Sequence, residues 1–355
     1  MSRLEDFKNQ IHKCSRCGLC QSACPLYQIS GNDCTVSRGQ FIMLDGVLKN
    51  ELKLNKNINK YLDLCLKCGA CSKFCPSGID AVDIIIAAKS EYFKSSLKER
   101  LISVFQKYIL FGIVPKLIGL FVPKTKSEVY ETKVLYFGGC GSRFKSDKAI
   151  VKVLNRLNIE VINPDFDCCG ISLFTRGDLE GFQKAIDSYV NILKKYNITN
   201  VVTNCASCEK SLKDYIKWTT NEEHKKFLST VVVRNVFSYI KESGLGFELE
   251  KSVRVTYHKP CNINNFEDIE WVLKNTKNLE YIEMENFDKC CGLNAVTKIR
   301  ERKIVSALLD EKSNNIKKTL ARYVLTSCLG CQVALSFNLT RKYKVMDLLE
   351  FLARN

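Results

Sequence analysis

A chain of 355 residues, 46% hydrophobic and 26% charged, has the balance of a folded protein with two or three cores, not of a disordered one. Its formal net charge of +16 comes from lysines scattered over nearly every segment, with no compact basic patch among aromatics, so no nucleic-acid partner is expected. Nineteen cysteines, many in C-x-x-C steps behind the polar start MSRLEDFKNQIHKC, are expected to bind metal in a reducing cytoplasm instead of forming disulfides in a secreted protein.

Residues 1–98 carry one phrase twice, CSRCGLCQSACP from Cys14 and CLKCGACSKFCP from Cys65. The spacing C-x2-C-x2-C-x3-C-P is that of bacterial two-cluster ferredoxins, in which three close thiolates hold one cluster and the fourth reaches the other. On that pattern Cys14, Cys17 and Cys20 pair with Cys75, while Cys65, Cys68 and Cys71 pair with Cys24. Zinc also accepts four thiolates in C-x-x-C steps, but two three-step runs with closing Cys-Pro are more than zinc requires. Between the copies, Phe41, Met43, Leu44, Val47, Leu48, Ile58 and Leu62 recur at helical spacing, and Asp80 reads as the cap of a further helix. This stretch is therefore expected to be an α-helical domain with two [4Fe-4S] clusters.

Residues 99–130 form an apolar connector. A spanning helix needs about 20 apolar residues, and Lys107, Pro115 and Lys116 interrupt this one. Packing against the protein itself is the expectation, with a membrane-surface or partner-docking helix as the alternative.

From residue 131 the pattern turns to alternating strands and helices and is written twice, over 131–246 and 247–355. Each copy has a strand ending in one cysteine, a strand leading to CCG, and a strand ending in C-x-x-C. Equivalent cysteines are offset by 121, 122 and 123 residues (Cys140 to Cys261, Cys168 to Cys290, Cys205 to Cys328), which marks an internal duplication. If the strands are parallel neighbours, their carboxyl ends share the edge where open α/β sheets bind ligands. Cys208 is expected in the first turn of a helix, and Gly170 and Gly292 where backbone approaches a bulky group. Zinc, or a disulfide in one half, competes with iron–sulfur here. Cys34 is left over and reads as a small buried residue. His258, beside Cys261, is either satisfied locally or a hydrogen-bond donor to a cluster sulfur. No G-x-G-x-x-G, phosphate loop, H-E-x-x-H or serine-nucleophile elbow is present, so the chain is expected to pass electrons with the organic chemistry elsewhere or at a cysteine-rich cluster.

A single cysteine, CCG and C-x-x-C together are similar to the cysteine-rich domain of the heterodisulfide reductase family. Two such domains behind a helical two-cluster ferredoxin resemble the iron–sulfur subunits of glycolate oxidase and anaerobic glycerol-3-phosphate dehydrogenase. The resemblance implies an α+β multidomain fold: an α-helical ferredoxin domain (1–98), the connector (99–130), and two duplicated α/β cysteine-rich CCG domains (131–246 and 247–355). It implies one or two further, non-cubane clusters, or zinc in one domain. Carried over residue by residue, the ligands are Cys140, Cys168, Cys169, Cys205 and Cys208, then Cys261, Cys290, Cys291, Cys328 and Cys331. The implied function is that of an electron-transfer protein, cytoplasmic or peripheral to the inner face of the cytoplasmic membrane, with a flavoprotein dehydrogenase acting on lactate, glycolate or glycerol 3-phosphate as partner. A quinone or a membrane surface is the other partner the resemblance allows. Both C-x-x-C pairs, NCASCEKS and SCLGCQVA, are complete, whereas glycolate oxidase iron–sulfur subunits often lose one cysteine there. That departure points away from glycolate and towards the reductase and glycerol-phosphate branches, and five cysteines in both halves favour the alternative of a catalytic protein of the heterodisulfide reductase type. A non-catalytic redox sensor or zinc-stabilised scaffold is the third reading.

Overall fold

The structure is a computed structural model that describes residues 3–105, 122–143, 147–263, 265–292 and 302–354. Residues 106–121, half of the apolar connector, lie outside the described residues. Among those described, no helix is long and apolar enough to cross a membrane. The chain divides into two compact units.

The first unit comprises Met1–Val104 together with Ser172–Gly181 and Lys289–Lys312. It is helical, as the spacing predicts. The apolar run between the cysteine phrases forms two helices, Ser37–Leu48 and Lys56–Leu64, and the second is capped by Asn55. Asp80 caps the helix Ala81–Ser95 by accepting from the Val82 N–H at 3.2 Å. That helix buries Ile84, Ile85, Ile86, Ala87 and Ala88, so it is the unit's central rod. Two later stretches of chain complete this core, which local sequence pattern does not disclose. Leu308 packs with Leu26 and Leu64. Lys89 forms a buried ion pair with Asp63 at 2.8 Å and donates to the Thr175 carbonyl at 2.7 Å. Arg176 pairs with Glu99 at 2.8 Å, again out of solvent. Losing one partner of such a pair strands the other charge and costs about 3–5 kcal/mol.

The second unit comprises Phe105–Ile171, Phe182–Asp288 and Ser313–Asn355 and holds two four-stranded sheets. The first contains β1 (Thr132–Tyr136), β2 (Ile159–Ile162), β3 (Asn200–Thr203) and β4 (Val232–Asn235). The other contains β5 (Phe247–Tyr257), β6 (Thr276–Tyr281), β7 (Tyr323–Thr326) and β8 (Lys344–Asp347). All pairings are parallel, in the orders β2-β1-β3-β4 and β6-β5-β7-β8, so the sequence duplication is a duplication of topology. Three strands per copy follow the sequence expectation. β4 and β8 go beyond it, although the β-branched run at Val231–Val233 is a usable signal.

The copies pack reciprocally. The helix Lys148–Asn155, after β1, lies on Leu348–Arg354, after β8. Its counterpart Phe266–Lys274, after β5, lies on Val236–Ser243, after β4. Exchange of equivalent contacts is the signature of a two-fold relation. Ile150, Leu154, Leu349 and Leu352 are buried in one pair, Phe237, Ile240, Ile269 and Leu273 in the other. Each such side chain stabilises by about 1.5–3 kcal/mol when fully removed from water.

Candidate metal centres

The two opening phrases fold alike. Arg16 and Gly18 take left-handed φ values of 57° and 84°, and Lys67 and Gly69 take 54° and 72°. Short helices follow, Leu19–Ala23 and Ala70–Lys73, and they pack on each other. One hollow is lined by Cys14, Cys17, Cys20 and Cys75, a second by Cys24, Cys65 and Cys68, with Cys71 on the wall of both. Burial pushes the Cys24 thiol up to about 11 and the Cys71 thiol up to about 12. Cys17 is exposed, and the Leu19 backbone N–H lowers it. A metal entering these hollows must therefore displace protons from buried thiols. The phrases differ at one matched position: Arg16 is exposed, whereas Lys67 is buried and donates to the Leu62 carbonyl at 3.4 Å. Burial brings the Lys67 ammonium down to about 7, and the Lys89 charge adds to this.

In the α/β unit, Cys140 follows β1 and Cys205 follows β3, the adjacent strands from which the sheet order runs in opposite directions. Crevices at such switch points hold ligands because neighbouring loops diverge there. Cys168 and Cys169 follow β2, and Cys208 sits in the first turn of the helix Ala206–Trp218, as the sequence predicts. These five thiols form one run of mutually interacting sulfurs: Cys140 with Cys168, Cys168 with Cys169, Cys208 with Cys169, and Cys208 with Cys205. Bonds from Cys168 and then Cys208 bring Cys169 down to about 5. Cys140's bond lowers Cys168, but the bond to Cys169 and burial outweigh it and push Cys168 up to about 12. The Cys169 carbonyl is itself fixed by Ser211 Oγ (2.8 Å) and Tyr215 Oη (3.0 Å).

The sulfur chain continues into the other repeat. Interaction with the neighbouring Cys205 and Cys331 thiols holds Cys328 well below the usual thiol range. Ser207 Oγ stands 3.2 Å from Cys328 Sγ and accepts from Asn262 Nδ2 at 3.2 Å, while the Ala206 N–H donates to the Ser327 carbonyl at 2.8 Å. A third hollow opens beside this junction, bounded by Tyr136, Cys140, Cys205, Cys208, Gln332 and Asp347. Among the described residues lining it there is no Lys or Arg to balance a thiolate. A crowd of buried sulfurs that must share protons, without basic partners at its mouth, fits a soft metal centre supplying the positive charge.

Of the other predicted residues, Cys261 is half-buried after β5, and Cys290 and Cys291 are buried and belong to the first unit. Gly170 is left-handed (φ 71°), but what a side chain there would meet is Phe182 and Ala185. Helix packing, not approach to a ligand, is thus its visible constraint. Cys34 is half-buried in the turn Asp33–Thr35 and lines neither ferredoxin-type hollow. His258 is fully buried. The residue that spacing does not single out is Lys67, whose burial depends on the distant helix Ala81–Ser95 and its Lys89.

The family model for a 4Fe-4S dicluster domain matches residues 10–79, and that for a cysteine-rich domain (CCG) matches 134–213 and again 255–336. An uncharacterized iron–sulfur protein of Methanococcus maripaludis is 27% identical over 96% of this chain and 70% of its own length. The probable glycolate oxidase iron-sulfur subunit of Bacillus subtilis is 25% identical, covering 94% of this chain and 90% of that one. One component of the dihydromethanophenazine:CoB–CoM heterodisulfide reductase of Methanosarcina acetivorans is 24% identical, covering 91% and 88%. Among solved structures, a hypothetical protein from Helicobacter pylori has the same fold, with a TM-score of 0.57 at 10% identity over 89% of this chain and 67% of that one. The dicluster phrases, the duplicated cysteine-rich repeats behind them and relatives matched along nearly the whole chain agree: this protein belongs to the family of oxidoreductase iron–sulfur proteins that includes the glycolate oxidase iron-sulfur subunits and their heterodisulfide reductase counterparts.

Proposed function

We propose that the chain is the electron-transfer component of a cytoplasmic oxidoreductase complex whose flavoprotein partner oxidises a 2-hydroxy acid, lactate or glycolate, or glycerol 3-phosphate. The observation that carries this is the pair of matching cysteine-lined hollows that share Cys71 as a common wall. Two [4Fe-4S] clusters bound there supply sequential one-electron transfer. Cys14, Cys17, Cys20 and Cys75 would hold one cluster, and Cys65, Cys68, Cys71 and Cys24 the other. Cys140, Cys168, Cys169, Cys205 and Cys208 would hold a third, non-cubane centre. Cys261, Cys290, Cys291, Cys328 and Cys331 are assigned to a fourth by the duplication. The functional division falls at 98, 130 and 246: relay, connector and two terminal domains, with a quinone or another carrier receiving electrons at the end.

Anaerobic purification with iron, sulfide and zinc analysis, followed by EPR, tests the reading. Two ferredoxin-type signals plus further iron in the cysteine-rich half are expected. Zinc in place of iron in 131–355 would reduce that half to a scaffold. Reduction of the purified chain by a flavin dehydrogenase and its hydroxy acid would identify the donor.

A second reading, catalytic disulfide reduction, is favoured by the approach of the two sets, with Ser207 Oγ of one 3.2 Å from Cys328 Sγ of the other and Cys205 beside Cys328. Two adjacent one-electron centres suit cleavage of one S–S bond by two electrons. Disulfide-dependent reoxidation of the reduced chain, with no flavoprotein present, distinguishes it from the first.

A further inference from the structure

The two cysteine-rich repeats follow the same backbone path but differ in one buried ring. Phe137 follows β1, and its N–H donates to the Val202 carbonyl at 2.8 Å. His258 follows β5, and its N–H donates to the Leu325 carbonyl at 2.9 Å. These are equivalent places, since Phe137 and His258 are 121 residues apart, as are Cys140 and Cys261.

In the first repeat the place suits an apolar ring. Phe137 packs against Phe166, tilted, and Tyr189, edge-on, at centroid distances of 4.8 and 5.8 Å. It also reaches the cysteine set: a side chain on Gly139 would meet the Phe137 ring at 3.0 Å and Cys208 Sγ at 3.2 Å. In the second repeat a nitrogen of His258 and Cys331 Sγ lie within 4.8 Å. His258 is 0% exposed, and among the described residues neither Nδ1 nor Nε2 has a hydrogen-bond partner. A neutral imidazole carries one donor and one acceptor, and each buried without a partner costs about 1–3 kcal/mol. The first repeat shows that this fold accepts phenylalanine here at no such cost. No described residue satisfies the imidazole, and a metal centre at the neighbouring Cys331 would.

We propose that His258 donates a ring N–H hydrogen bond to a sulfur of the metal centre at Cys328 and Cys331, and so sets that centre's reduction potential above the potential of the centre at Cys140, Cys169 and Cys208. A hydrogen bond to a cluster or thiolate sulfur stabilises the more negative, reduced state. Phe137 offers no donor, so duplication followed by one substitution makes two homologous centres unequal. His258 is a positioning residue in this account, not a ligand. The inference rests on the reading that the cysteine-rich half binds iron–sulfur centres.

The test compares the full chain, purified anaerobically, with His258→Phe, which copies the first repeat, and His258→Gln, which retains a donor. Iron and sulfide content and EPR-monitored redox titration are the readouts. His258→Phe is expected to keep its iron, lower the potential of one cysteine-rich centre, and leave the ferredoxin-type signals unmoved. His258→Gln is expected to recover a large part of the shift. Loss of iron from His258→Phe would overturn the inference by making the imidazole a ligand. An iron-loaded His258→Phe with unchanged potential and g values would overturn the inference alone. A parent chain with no iron in the cysteine-rich half would overturn the inference and the reading beneath it together.

Discussion

Replacing Lys67 by Gln should lower the reduction potential of the cluster assigned to Cys24, Cys65, Cys68 and Cys71. Lys67 and Arg16 occupy matched positions with nearly the same left-handed φ, yet Lys67 is 8% exposed and Arg16 lies in solvent. The Lys67 backbone N–H is 3.4 Å from Cys65 Sγ, so its side chain starts at the cluster loop. A cluster held by four thiolates is anionic and more so when reduced, and below about pH 7, where buried Lys67 keeps its proton, the ammonium beside it favours the reduced form. For a full unit charge at ~8 Å and an effective dielectric of ~20, Coulomb's law gives about 2 kcal/mol. For a one-electron couple this is roughly 90 mV, at 59 mV per tenfold. The buried Asp63 charge is already engaged by Lys89, so it cancels only part of the effect. Arg16→Gln is the control: water and salt screen that charge, and its cluster should move by a small fraction of the Lys67 shift. EPR-monitored titration of the anaerobic protein reads both couples. Equal shifts in both clusters, or none in either, would refute the assignment of Lys67 to one cluster and the magnitude drawn from its burial.

Cys24→Ser should abolish the signal of the cluster bound by Cys65, Cys68 and Cys71 while sparing the one bound by Cys14, Cys17 and Cys20, because Cys24 lines the hollow of the former; the opposite loss would reverse the crossed assignment. Gly139→Ala should destabilise the α/β unit by about 1–2 kcal/mol for an L-residue in the left-handed region. It should also deplete iron from the first cysteine-rich centre, since the new methyl group meets the Phe137 ring and Cys208 Sγ; undiminished iron per chain would count against that geometry. Reconstitution of the metal-free chain with iron and sulfide should speed up between about pH 7 and pH 9. Cys24 and Cys71, pushed up to about 11 and about 12, are protonated across that range, so their thiolate fraction rises with pH. An absorbance time course with a flat or falling pH profile would contradict this.

Much of the molecule is local and therefore legible in the sequence. Cysteine spacing within twelve residues fixes which thiols share a loop, and alternation or helical recurrence fixes most strands and helices. The constant offset near 121 residues announces two copies of one α/β topology. β4 and β8 escape because four residues at a sheet edge carry little pattern of their own; pairing with β3 and β7 makes them strands. The sequence also predicts a cysteine at each strand end, but not that Cys205 and Cys328, 123 residues apart, come together. That contact exists only because two copies pack reciprocally. Nor can spacing tell Lys67 from Arg16, or the surroundings of His258 from those of Phe137. Each pair shares a local conformation, and what differs is the burial that distant chain imposes: Lys89 near Lys67, Cys331 near His258. Local sequence chooses which groups are present and how the backbone turns around them. Long-range packing decides whether water reaches them, and so how strongly their charges and hydrogen bonds act on a neighbouring metal centre.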